Sequence, residues 1–212
     1  MKRSLLKLIA LVIILSLLLS TVSCNRKYDE NEVLTAAEAL LKQTEILNIV
    51  YYGDGIQYHD GEENNGYYRR ANDAHLKELG FSTIDELITL TDNTFTKEYA
   101  DTVYSTVLRA IKDETTVISP ARYYQEYNDD GAPLYIMVHS AYPTLMKDDI
   151  SYDYASMKVS GVKKKRVFVK VSATVTNSEG QSQNTEITIA LIEEDNGWRI
   201  DNPTYANYNS RA

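Results

Sequence analysis

Cysteine is all but missing from this chain: Cys24 is the only one in 212 residues. A single thiol closes no intrachain disulfide and supplies no thiolate metal set. Histidine is nearly as sparse. His59, His75 and His139 stand far apart with no His-x-x-x-His spacing, so a zinc or facial-triad site would have to be assembled from distant segments. No serine sits in a Gly-x-Ser-x-Gly elbow, which removes the starting point of a hydrolase triad. Asp129-Asp130-Gly131 lacks the alternating oxygen ligands and the downstream Glu of a calcium loop. Carboxylates are paired at Asp129-Asp130, Asp148-Asp149 and Glu193-Glu194. Neighbours on a strand point to opposite faces and neighbours in a turn face water, so none of these pairs converges on a cleft for acid/base work. Repeats, low-complexity tracts and Pro/Gly/Ser-rich linkers are also lacking. No cofactor is implied, and catalysis is not expected.

Acidic residues are absent from the first 23 positions, where Lys2, Arg3 and Lys7 precede an apolar run from Leu8 to Leu19 broken only by Ser16. The order of basic start, short apolar segment and small residues is that of a secretory signal peptide, and the apolar run is too short for a comfortable bilayer span. With Cys24 after Thr21-Val22-Ser23, the segment resembles the bacterial lipoprotein signal, although Thr21 stands where Leu is usual. That resemblance implies a lipid on the Cys24 thiol, a signal peptide over 1–23, and a position at the outer face of the cytoplasmic membrane. A two-chain lipid anchors firmly where a single chain is marginal. Residues 24–31 are polar and read as a tether. Without Lys2, Arg3 and Lys7 the chain keeps 19 basic against 30 acidic residues, a formal charge of −11. Such a surface repels polyanions, so nucleic acid is not expected as a partner.

The remainder, 32–212, reads as a single α+β domain. Val33, Ala37, Leu40, Leu41, Thr44, Leu47 and Tyr51 recur at helical spacing after a cap at Asp29 or Asn31, and Gly53-Asp54-Gly55 ends the run. Gly66 to Arg70 reads as a short extended segment. Ser82, with Asp85 behind it, is the expected cap of a helix from Thr83 to about Thr94, whose stripe is Ile84, Leu87, Ile88 and Thr91. Thr96 caps another helix to about Ala110, with Tyr99, Val103, Val107 and Leu108 inward. After Pro120 the pattern turns to strands: Ala121–Tyr127, Leu134–His139, Tyr152–Val159, a clear alternation over Val167–Thr176, then Glu186–Glu193 and Trp198–Asp201. Helices first and an antiparallel meander afterwards predict helices packed on a curved sheet.

Tyrosine is over-supplied: all 17 follow Cys24, beside three Phe and one Trp. Doublets fall at Tyr51-Tyr52, Tyr67-Tyr68 and Tyr123-Tyr124. On a strand a doublet turns one ring inward and one outward, and the outer ring suits contact with a protein or sugar as well as plain structural packing. The only concentrated basic run, Lys163-Lys164-Lys165-Arg166, reads first as a turn whose lysines protect a sheet edge.

Two stretches carry a likeness to known proteins. One lies within Tyr67–Asp101 and has FSTIDELITLTDNTFTKEYAD as its core; the other is NGWRIDNPTY, from Asn196 to Tyr205. Their order resembles the IseA-type inhibitors of peptidoglycan DL-endopeptidases, and the closing Gly-Trp-Arg-Ile-Asp is similar to the last strand of nuclear transport factor 2-like and cystatin-like domains. The resemblance implies inhibition of a cell-wall hydrolase through a protein–protein contact, with no inhibitory residue to carry across. Two alternatives stay open. A small-molecule or sugar-binding domain would enclose a pocket between helices and sheet. An enzyme of the ketosteroid-isomerase type would need a buried carboxyl beside a Tyr in that hollow.

Overall fold

The apolar stripe that begins at Val33 is buried along its length in the helix it forms, α1 (Glu30–Tyr51). This computed structural model describes residues 28–59, 66–113, 116–146 and 148–204, and from Asn31 onward the chain forms one unit. Cys24, its signal segment and Tyr205 lie outside the described residues. The α1 carbonyls at the C-terminal end have no partners within the helix, and Arg122 and Tyr123, at the start of a later strand, supply them. Arg122 donates from Nη1 to the Tyr51 carbonyl at 2.9 Å and from Nη2 to the Gly53 carbonyl at 2.7 Å. The Tyr123 hydroxyl donates to the Val50 carbonyl at 2.6 Å, and burial pushes that phenol up to about 12. A guanidinium at a helix C-terminus also meets the negative end of the helix dipole. Gly55 lies beneath this cap at φ +78°, where a Cβ would run into the Arg122 guanidinium and the Tyr123 hydroxyl. Only glycine fits there.

A short strand β1 (Tyr68–Arg70) leads to α2 (Asp73–Leu79), a helix not expected from the sequence. Asn72 caps it, accepting from the Ala74 and His75 amides. Next comes α3 (Ile84–Thr94), whose capping box is Thr83 with Glu86, one residue later than the expected Ser82 and Asp85. The reason is local: Glu86 Oε2 reaches back to the Ser82 amide at 2.6 Å while Thr83 Oγ1 accepts from the Glu86 amide at 3.1 Å. Leu87, Thr91 and Thr94 form its buried stripe, with Ile84 and Ile88 half-buried. Thr96 caps α4 (Lys97–Val107), which buries Ala100, Val103 and Val107 while Tyr99 and Leu108 stay half-buried.

The strands that follow are β2 (Ile111–Asp113), β3 (Thr116–Ser119), β4 (Tyr123–Tyr127), β5 (Pro133–His139), β6 (Asp149–Lys163), β7 (Arg166–Thr176), β8 (Ser182–Glu194) and β9 (Gly197–Ile200). The class is α+β with helices ahead of antiparallel sheet, and the strands divide among three sheets. These are β1-β5-β4, the hairpin β2-β3, and a four-stranded sheet in the order β6-β7-β8-β9. In the last, Val167, Val169 and Val171 face Leu191, Ile189 and Ile187 across the ladder, and all are buried. Helix α1 is tied to this sheet by Tyr154 Oη donating to Glu45 at 2.6 Å and Trp198 Nε1 donating to Glu32 at 3.2 Å. Residues 95 and 96 run along β9, where the Thr96 amide donates to the Ile200 carbonyl at 2.9 Å.

Candidate functional site

Parts of the two stretches singled out in the sequence meet at one cleft, completed by Tyr104, Arg109, Glu194 and Asp195 from outside them. Between α3 and α4 the chain passes the edge of β9, and the turn into that strand closes the far side. The cleft has a volume of about 850 Å³. Ile88, Asp92 and Asn93 of α3 form one wall, Lys97, Asp101 and Tyr104 of α4 with Arg109 just beyond it a second, and Glu194, Asp195, Asn196 and Arg199 a third; Arg109 pairs with Asp101 at 3.9 Å.

Three contacts hold these walls. Arg199, 8% exposed, donates from Nε to the Asp92 carbonyl at 2.9 Å and from Nη1 to the Trp198 carbonyl at 2.8 Å. The Tyr104 hydroxyl donates to Asp92 Oδ1 at 2.7 Å, with the Ile88 carbonyl 3.1 Å away. Burial, the Asp92 hydrogen bond and the Asp92 charge all raise the Tyr104 pKa, so this phenol stays a donor. Thr96 Oγ1 donates to Asp201 Oδ1 at 2.7 Å, and Asp201 also pairs with Arg166. Asp201 thereby ties the base of α4 to β7, one residue past β9. The walls are braced by side-chain hydrogen bonds and not by chain connectivity alone.

A second feature is the tyrosine-rich face of the β1-β5-β4 sheet. Register puts Tyr68 opposite His139, Arg70 and Tyr124 opposite Met137, and Glu126 opposite Tyr135. These residues share one face, while Tyr123, Ile136 and Val138 fill the other. Tyr68 meets both Tyr124 and His139 edge-on, at centroid distances of 4.7 and 4.9 Å. Tyr67, 69% exposed, stacks on the same His139 ring at 5.6 Å. Arg70 lies over Tyr135 at 5.1 Å and the Tyr124 hydroxyl donates to Glu126 at 2.9 Å. Tyr127 and Leu134, at the hairpin end of the same sheet, are 52% and 54% exposed. Burial lowers the His139 pKa, and its buried Nδ1 has no hydrogen-bond partner.

The remaining candidates from the sequence are scattered. His59 is exposed, and His75 Nδ1 accepts from the Gln57 amide at 3.0 Å. Among the described residues no three of His, Cys, Asp and Glu gather in a metal-holding group. Asp129-Asp130 is an exposed turn, Glu193-Glu194 is the exposed end of β8, and Asp148-Asp149 borders a separate cleft of about 520 Å³ with Ile49 and Asp54. In the basic run, Lys164 is the left-handed residue of the β6–β7 turn, φ 58°. Arg122 and Arg199, the two arginines buried among the described residues, were not singled out from the sequence. A charged residue in a strand pattern reads as outward-facing, and nothing local announces the helix ends that cover these two.

The chain matches no protein-family model and no curated protein.

Proposed function

We propose that this protein is a lipid-anchored extracytoplasmic binding protein that inhibits a cell-wall DL-endopeptidase by occluding its cleft. The observation that carries the binding reading is the tyrosine face. A sheet surface with Tyr67 more than half exposed, beside Tyr68, Tyr124, Tyr135 and Arg70, has the composition of a protein contact. Aromatic and arginine side chains supply most of the energy in such contacts. The hydrolase as partner is supported by the likeness to IseA-type inhibitors, and the lipid anchor by the segment around Cys24. A formal charge of −11 beyond the signal favours fast encounter with a basic cleft.

The hollow between α1 and the four-stranded sheet is filled by Leu41, Leu47, Ile187, Ile189 and Leu191, all fully buried. That weighs against a ligand enclosed there and against chemistry of the ketosteroid-isomerase kind. The test is turbidity of a cell-wall suspension digested by DL-endopeptidases from the same cell, with and without the full chain in mild detergent. Inhibition is expected, together with an association rate that falls steeply with salt as the Debye length drops from about 10 Å at 0.1 M to about 3 Å at 1 M. No inhibition of any wall hydrolase from that cell ends the reading.

A further inference from the structure

The cleft between α3, α4 and the β8–β9 turn contains charges that do not meet each other. Arg199 is 92% buried by its 8% exposure, and its two protein acceptors are both main-chain carbonyls. Of five guanidinium N–H groups, three are left, one on Nη1 and two on Nη2, and the residue lines the cleft. Among the described residues no carboxylate pairs with it. Asp92 is the nearest by contact, yet it offers Arg199 only its carbonyl, because its carboxylate accepts from Tyr104. A guanidinium removed from water without an anion is held at a substantial desolvation cost, and two parallel N–H groups on such a fork match a carboxylate.

On the same wall as Arg199, at the β8–β9 turn, Glu194 and Asp195 are exposed acids with no ion-pair partner among the described residues. They would repel a simple anion approaching Arg199. A ligand carrying both charges satisfies both groups. The volume, about 850 Å³, falls in the range that takes a ligand of a few hundred daltons. We infer that this cleft binds a short zwitterionic peptide, its free carboxylate on Arg199 and its ammonium group toward Glu194 and Asp195. The site is distinct from the tyrosine face and does not depend on hydrolase inhibition.

The test is an amide-resolved NMR titration of the full chain in detergent micelles with three probes: tetraalanine, its N-acetyl form and its C-terminal amide. Tetraalanine is expected to give saturable shifts around the cleft in the millimolar range. The amide should bind about tenfold more weakly, because it loses the charged bidentate contact. The exposed pair change Glu194→Gln with Asp195→Asn keeps the fold intact and should erase the difference between tetraalanine and its N-acetyl form. Arg199→Gln should erase the difference between tetraalanine and its amide. Should that buried change unfold the chain, the Glu194/Asp195 variant still decides the matter. Equal binding of all three probes, shifts that never saturate, or discrimination that survives in the Glu194/Asp195 variant each overturn the inference.

Discussion

His139 is set among rings that favour its neutral form. Tyr67 stacks on it, Tyr68 meets its edge, and Nδ1 is buried without a partner. Burial holds its pKa below the ordinary value of 6.5. The unfolded chain then binds more protons than the folded one between the two pKa values, so stability rises with pH across that window. His139 thus contributes stability that is complete above about pH 6.5 and is lost as pH falls toward the lower folded value. His139→Asn should flatten this part of the curve of thermal midpoint against pH and leave the alkaline side alone. Parallel curves for the two proteins between pH 5 and 7 would show that His139 does not titrate with folding. Because the same ring supports Tyr67, acidification should also loosen whatever binds the tyrosine face.

At the scale of elements, legibility followed periodicity. All seven residues of the α1 stripe are buried, because a repeat over six turns leaves one face to bury. Asn48 on that helix was not foreseen, since its partner Thr204 comes 156 residues later. Helix α2 has seven residues, too few for a periodic signal. Strand β6 runs well past the expected Tyr152–Val159 because its register shifts between Asp153 and Lys158, breaking the alternation. Ser156 repairs the gap, accepting from the Ser172 amide and donating to the Asp153 carbonyl, both at 2.7 Å. The cleft was half legible: the two stretches that supply most of its lining stood out, whereas the burial of Arg199 within the second of them did not. Trp198 was legible from its place after a tight turn. It is 8% exposed and binds Glu32 at the start of α1, so it fastens the shortest strand of the sheet, β9, to the longest helix. Trp198→Ala should cost about 3–5 kcal/mol, and Trp198→Phe, which keeps the ring contact but not the N–H donor, should cost less than half of that. Denaturant unfolding of both variants checks this, and an unchanged midpoint for Trp198→Ala would remove the indole from the core.

For the whole molecule the proposed anchor works against a large like charge. The chain beyond the signal has a formal charge of −11, and a bilayer of anionic lipid repels it at close range. Among the described residues no helix is long and apolar enough to cross a membrane, and the basic run at 163–166 lies at the same end of the sheet as the β8–β9 turn. Strand β7 starts at Arg166 where β8 ends, which puts the two turns side by side. On the proposed reading, attachment rests on Cys24. Cys24→Ala should abolish incorporation of labelled fatty acid. Any precursor cut elsewhere should pass into the aqueous layer on detergent phase partition, whereas uncut precursor stays in the detergent layer on its apolar segment. Labelling is the decisive readout, since it separates lipid from an uncut segment. A variant that still takes up label at the wild-type level would locate the anchor at another residue and remove Cys24 from this account.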